Sequence, residues 1–247
     1  MPKDSKNDWF KTWFNTPYYH LLYRNRDEKE AHQFIDRLCD QLQLPQGASI
    51  LDVGCGKGRH ANYLHSIGFN VTGIDLAANS IAEAKEMETM GLSYYVHDMR
   101  IPFQDSAFDC ALNLFTSIGY FEKLADNEKA IGSCSTALKT KGILVIDFLN
   151  AERVVKNLIP LETKQVGNIC FELQRSYDQG RIIKKITVID GNEKHHYEEQ
   201  VSALGLEDFR TYFSVSGMEL ISLFGNYNLD EFDNANSDRL IMVAQKV

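Results

Sequence analysis

No apolar stretch of the 247-residue chain approaches the roughly 18 residues that a membrane-spanning helix needs. The opening run MPKDSKNDWFKTWFN mixes polar and aromatic residues and lacks the apolar core of a secretory signal. No membrane partner is therefore expected. There is no basic tail or Lys/Arg-rich run, and the formal net charge is -8. A field of that sign repels phosphate backbones at long range, so nucleic acid is not an expected partner either. The five cysteines (Cys39, Cys55, Cys110, Cys134 and Cys170) are odd in number and scattered, with no CxxC pair. That pattern disfavours a disulfide framework and a zinc site, and it points to reduced thiols in a cytoplasmic protein. No repeat or low-complexity tract is visible. What remains is an ordinary globular composition, 44% hydrophobic and 24% charged, at a length that suits one large domain or one domain with an insertion.

Residues 48–150 alternate short apolar runs with helical patterns. Strands are predicted near 49–53, 70–74, 93–96, 110–114 and 143–148, with helices near 57–67, 79–90 and 124–139. In the second helix Ser80 and Glu83 have capping-box spacing, and Gly91 is placed to end it. In the third, Lys139 and Lys141 suit a helix carboxyl end, with Gly142 following. Strands alternating with helices imply a mostly parallel sheet covered on both faces, with ligand-binding loops along the rim at the strand carboxyl ends.

After Pro160 the character changes. Three extended segments, near 169–177, 181–189 and 193–203, are separated by Asp178-Gln179-Gly180 and Asp190-Gly191-Asn192, which carry hairpin-turn chemistry. A small antiparallel β meander over 161–203, expected to cover one side of the ligand-binding rim together with the amino-terminal aromatic segment, is predicted as an insertion into a main domain formed by 48–160 and 204–247. A helix near 206–216 and strands near 219–223 and 239–244 complete the larger sheet. Ahead of it, 1–47 forms a helical or lid segment. Its helix runs from about Asp27, with Ala31, Phe34, Ile35, Leu38 and Leu42 on one stripe. Tyr18, Tyr19 and Tyr23, beside His20, precede that helix and suit either core anchors or part of a lid over the rim.

The stretch ILDVGCGKGRHANYL, 50–64, places Gly54, Gly56 and Gly58 between a strand and a helix. Such a turn approaches a ligand closely and aims helix N–H groups at it. A Walker loop requires GxxxxGK[ST], but Arg59-His60 follows Gly58. A dinucleotide fingerprint requires a third glycine where Arg59 stands. Asp52, inside the first strand, is costly to bury unless it finds donors. Arg59 and His60 open the helix, where they face the sheet rim or solvent, or where His60 borders a cofactor. His195-His196 lies in the meander, where neighbours point to opposite faces and cannot chelate one metal well.

DVGCGKG resembles the signature of class I S-adenosylmethionine (SAM) dependent methyltransferases, an acid followed after one residue by GxGxG. Three further motifs match in order. Asp75 in VTGIDLA lies 21 residues after Gly54, where the family has a carboxylate for the ribose hydroxyls. By spacing alone that acid would equally suit NAD. Asp98 and Met99 in YYVHDMR stand where the family contacts the adenine. Asn113 to Phe115 in CALNLFTSIGYF match the strand end beside the methionine part. The resemblance implies an α/β Rossmann-like fold with a seven-stranded, mostly parallel sheet, helices on both faces, and SAM as cofactor. It implies cofactor-binding roles for Gly54, Cys55, Gly56, Asp75, Leu76, Asp98, Met99, Phe115 and Tyr19. A resembling subgroup includes bacterial small-molecule methyltransferases, amino-sugar N-methyltransferases among them.

The resemblance thus implies methyl transfer to a small-molecule acceptor by in-line displacement, governed chiefly by orientation. The inserted meander and the amino-terminal aromatic segment are expected to cover the acceptor side of the cleft. Tyr120, Asp147, Asn150 and His20 are candidates for a base, and none is singled out. A noncatalytic SAM-binding module and an NAD-dependent oxidoreductase are the rival readings.

Overall fold

Strand β1 (Ser49–Val53) is buried from Ile50 to Val53, as a strand covered on both faces must be. It pairs in parallel with β2 (Asn70–Asp75) and β4 (Phe108–Asn113), while β2 pairs with β3 (Leu92–Val96) and β4 with β5 (Leu138–Leu149), all parallel. The structure is a computed structural model that describes residues 9–23 and 28–247. The expected helix start at Asp27, and residues 1–8 of the opening run, lie outside the described residues.

Two short helices, α1 (Trp9–Trp13) and α2 (Pro17–Leu22), come first, then α3 (Glu28–Leu42). Of the predicted stripe on α3, Ala31, Phe34, Ile35 and Leu38 are buried, while Leu42 near the helix end is partly buried. α4 (Arg59–Ser66) and α5 (Ala78–Ala84) share that core, while α6 (Leu124–Ala137) lies against the opposite face of the sheet. Neighbouring strand residues sort to opposite sides: Ile50, Cys110 and Val145 face α3 and α4, whereas Leu51, Ala111 and Leu144 face α6. The period-2 alternation of strands thus builds a three-layer molecule around one sheet.

Two helix expectations change. α5 ends at Ala84 and passes into a 3-10 turn, Lys85–Met87, and Ser80 is buried inside the helix rather than capping it. The free N–H of Ala77 is instead taken by the Asp75 carboxylate at 2.7 Å, so the strand before the helix supplies the cap. α6 stops at Ala137 because β5 begins at once, and Lys139 pairs across the sheet with Asp109 at 2.7 Å instead of serving a helix end.

After α7 (Ala151–Lys156), a helix without a counterpart in the sequence reading, comes a separate antiparallel sheet. It has four strands: β6 (Leu161–Val166), β7 (Ile169–Asp178), β8 (Arg181–Asp190) and β9 (Glu193–Ser202). The last three match the predicted meander, and Gln179 and Gly180 both adopt positive φ, as a tight hairpin requires. One face packs Phe171, Leu173, Ile186 and Val188 against Trp13 and Leu22 of α1 and α2. α8 (Leu206–Val215) then leads to β10 (Met218–Phe224) and β11 (Arg239–Lys246). β11 runs antiparallel to β5, giving the order β10-β11-β5-β4-β1-β2-β3.

Candidate functional site

The carboxyl ends of β1, β2, β3 and β4 open onto one cleft of about 1280 Å³. Its floor is the turn from β1 into α4. Gly54 and Cys55 both donate to the Ile74 carbonyl, at 2.8 and 3.0 Å, which pins the turn onto β2. The three glycines serve different needs, although all take positive φ. A Cβ on Gly54 would lie 2.6 Å from Ser117 Cβ, and one on Gly58 2.5 Å from the Tyr94 hydroxyl oxygen. Those two glycines allow close protein packing. Gly56 would meet nothing within 4 Å, so it alone leaves open space for a ligand against its backbone. Gly58→Ala is expected to cost about 2–5 kcal/mol in thermal unfolding, summing left-handed strain and overpacking. Gly167→Ala, also at positive φ but with nothing within 4 Å, isolates the strain alone and should cost about 1–2 kcal/mol.

Asp75 ends β2 at the cleft. Its Oδ2 accepts from the Gly56 N–H at 2.8 Å and its Oδ1 from the Ala77 N–H at 2.7 Å. Burial raises this carboxyl above its ordinary range, and the N–H groups of Ala77, Gly56 and Leu76 work against that rise. Each oxygen keeps a second lone pair, so the carboxylate can hold a vicinal diol while it orders the turn. Behind the turn, Asp52 is 1% exposed, and its Oδ2 has no hydrogen-bond partner among the described residues. Burial, and then the Asp75 charge, push its pKa to about 7, against the opposing Ala61 N–H and Arg59 charge.

All nine predicted cofactor residues line this cleft: Gly54, Cys55, Gly56, Asp75, Leu76, Asp98, Met99, Phe115 and Tyr19. Asp98 is already engaged, since Arg100 grips it with Nη2 at 2.6 Å from Oδ2 and Nε at 3.0 Å from Oδ1. Arg100 also reaches Asp126 at 3.2 Å, which fixes the β3 end to α6. The Phe115 ring stacks on His60 with centroids 4.9 Å apart and 11° between planes, and the Arg59 guanidinium lies 5.1 Å from its centroid. His60 therefore borders the cleft and is buried, rather than facing solvent.

The four candidate bases divide. Tyr120 and His20 line the cleft, and burial together with the Lys57 charge lowers the His20 pKa. Asp147 and Asn150 do not line it. Asn150 caps α7 and donates to the Asn234 and Ser237 carbonyls at 2.8 and 2.9 Å. Asp147 is 0% exposed and committed to Arg239, Nε to Oδ1 at 2.7 Å, and to the Phe115 N–H at 2.8 Å.

The upper wall is aromatic. α2 starts from Thr16, whose Oγ1 accepts from the Tyr19 N–H at 3.2 Å, with Pro17 in its first turn. Tyr19 packs on Phe14, Trp13 and Tyr23, and Phe14 meets Tyr120 edge-on at 5.2 Å. None of the cleft-lining residues comes from the four-stranded sheet; it supports the aromatics that do line the cleft. Glu199 of β9 accepts from Trp13 Nε1 at 2.7 Å and from the Tyr23 hydroxyl at 2.7 Å, while Lys184 Nζ donates to that hydroxyl at 2.5 Å. Burial lowers the Lys184 pKa even though Glu199 opposes it. No local pattern reveals this polar knot, because it joins Trp13 and Tyr23 to Lys184 and Glu199, partners 161 to 186 residues away. His195 and His196 point to different partners, the Tyr18 ring and the Thr187 hydroxyl. No cluster of metal-ligand type occurs among the described residues.

Comparison with known proteins gives a consistent family context. Residues 51–146 match the methyltransferase domain family. The chain is 24% identical over 247 residues to a protein of Geobacillus sp. (strain WCH70) that is named as a methyltransferase, covering 95% of this chain and 100% of the relative. Its fold is similar to that of a S-adenosylmethionine-dependent methyltransferase from Clostridium acetobutylicum ATCC 824, with TM-score 0.79, 18% identity, and coverage of 93% of this chain and 96% of that one. It is also similar to SAM-bound CalS10, an amino pentose methyltransferase from Micromonospora echinaspora, with TM-score 0.69, 21% identity, and coverage of 94% and 98%.

Proposed function

We propose that this chain, whose residues 51–146 match the methyltransferase domain family, uses SAM to methylate a small-molecule acceptor inside this cleft. The observation that carries the reading is the continuity of the space. The glycine turn and Asp75 share one cavity with Tyr19, His20, Tyr23 and Tyr120. A donor at one end and a small acceptor at the other would meet without leaving it.

The residues present fit SAM. The open face of Gly56 and the turn N–H groups suit the zwitterionic tail, and Asp75 suits the ribose hydroxyls. Asp98 and Met99 are placed for the adenine, with Leu76 and Cys55 closing the floor. When bound, SAM supplies a methyl group already activated by a sulfonium. The protein then has to align it, and alignment contributes up to about 7–11 kcal/mol to such a displacement. Phe115 and Tyr19 present aromatic surface of the kind that attracts a cation by about 0.5–2 kcal/mol. His20, its pKa lowered by burial, and Tyr120 are the candidate groups that can touch an acceptor there. A positioned base adds about 10²- to 10⁴-fold where the acceptor must lose a proton.

We place the acceptor among small polar metabolites, with amino sugars first. The amino pentose methyltransferase of similar fold supports that choice. So does the aromatic wall, held on the inserted sheet by Glu199, which bounds the cleft beside the glycine turn. The unpaired thiols suit a cytoplasmic setting. The test is methyl transfer from labelled SAM to a panel of amino sugars, hydroxy acids and phenols. Turnover on a member of the panel is the expected result. Transfer only to protein or nucleic acid would overturn the small-acceptor reading.

A further inference from the structure

We propose that the buried Asp147–Arg239 pair is a positioning device for the cofactor end of the cleft, holding Phe115 and Thr116 in the backbone conformation that presents the Phe115 ring. The proposal rests on the reading that this cleft binds SAM.

β4 ends at Asn113, and two residues later the chain enters the left-handed region twice in succession, at Phe115 (φ 58°) and Thr116 (φ 61°). Neither is glycine, and a β-branched threonine is among the residues least suited to positive φ. Conformations of this kind persist only where the surroundings fix them. Here they are fixed from β5, which lies beside β4, and from β11 beyond it. The Phe115 N–H donates to Asp147 Oδ2 at 2.8 Å, and the Thr116 N–H to the Asp147 carbonyl at 2.9 Å. Arg239 Nη2 donates to Thr116 Oγ1 at 2.9 Å, while Nε holds Asp147 Oδ1 at 2.7 Å. The Tyr227 hydroxyl adds a donor to Oδ2 at 3.2 Å, and the Tyr227 ring lies 5.2 Å from that of Phe115. Both carboxylate oxygens and the carbonyl of Asp147 are thus spent on the segment or on the groups that hold it.

Core stability alone does not require such a pair, since well-packed apolar residues often replace buried ion pairs without loss. What an apolar pair cannot supply is an acceptor for the Phe115 N–H and a donor for Thr116 Oγ1. The segment also reaches the glycine turn. Ser117 follows directly, and it is the residue whose Cβ would stand 2.6 Å from a Cβ on Gly54. Displacement of 115–117 would therefore disturb both the Phe115 ring and the floor beneath it.

Three variants of the full chain, Arg239→Met, Asp147→Leu/Arg239→Met and Arg239→Lys, test this by thermal unfolding, amide exchange at Phe115 and calorimetric titration with S-adenosylhomocysteine. The single Arg239→Met variant strands a buried carboxylate and should unfold at a lower temperature. The double variant should regain most of that loss, yet exchange the Phe115 amide faster and bind S-adenosylhomocysteine at least tenfold more weakly than wild type. Arg239→Lys keeps the charge but cannot serve Asp147 and Thr116 together. It should fold, with affinity reduced about threefold to tenfold by the loss of one hydrogen bond. This variant decides the matter if the double variant does not fold. Folded variants with wild-type affinity would overturn the positioning role alone. A wild-type chain that binds no S-adenosylhomocysteine would contradict the cofactor reading, and this proposal with it.

Discussion

Asp75→Ala is expected to weaken binding of S-adenosylhomocysteine by roughly 10²- to 10⁴-fold, measured by calorimetry. Each hydrogen bond to a charged group contributes about 1.5–3 kcal/mol, and a ribose diol makes two, which at about 1.4 kcal/mol per tenfold gives that range. The substitution also releases the Gly56 and Ala77 N–H groups, now held at 2.8 and 2.7 Å, so the turn loses its internal anchor as well. Asp75→Asn separates the two effects. The amide keeps one acceptor oxygen but loses the charge, and an intermediate affinity is expected. An Asp75→Ala variant that binds within threefold of wild type would remove Asp75 from the cofactor site.

The second large effect concerns stability. The carboxyl of Asp52 ordinarily titrates at 3.8, but in the folded chain its pKa lies near 7, because burial and the Asp75 charge disfavour ionisation. The folded state therefore holds this proton more tightly than the unfolded state does. Below about pH 4 both states carry it and Asp52 costs nothing through this route. As pH rises from there towards 7 the unfolded chain releases the proton first, and stability falls. Above 7 the penalty is complete, at roughly 4 kcal/mol from about 1.36 kcal/mol per pH unit. Asp52→Asn cannot ionise. Its melting temperature relative to wild type should therefore climb between pH 4 and pH 8, by about 8–16 °C at roughly 2–4 °C per kcal/mol. A pH-independent difference would show that Asp52 is not held protonated by burial.

The sheet was legible because its strands carry local signals. The apolar runs of β1 to β5, the turn residues between β7, β8 and β9, and the closing pair β10 and β11 all fall where the pattern put them. β6 was missed because Leu161–Val166 reads LETKQV and only Val166 is fully buried, so an exposed edge strand leaves no alternation to read. The Ser80 cap failed for the opposite reason. A good local motif lost to Asp75, which serves the Ala77 N–H from the preceding strand.

For the cleft, the residues that carry motifs all lie along its lining, because glycine turns and strand-end acids follow in order along the chain. What sequence could not disclose was engagement. Asp98 is gripped by Arg100, Asp147 by Arg239 from 92 residues away, and Trp13 and Tyr23 by Glu199 from 186 and 176. The grip of Arg100 is local, but the pairings with Arg239 and Glu199 are tertiary, and no local pattern encodes those. They also redefine the inserted sheet. It was expected to cover the acceptor, whereas it holds in place the aromatic helices that line the cleft.

The most direct test is a structure of the chain bound to S-adenosylhomocysteine. The ribose hydroxyls should lie on the Asp75 carboxylate, the amino-acid tail against Gly56, and the sulfur should point towards Tyr19, His20 and Tyr120. A ligand bound elsewhere, or in this cleft with its ribose away from Asp75, would contradict the account.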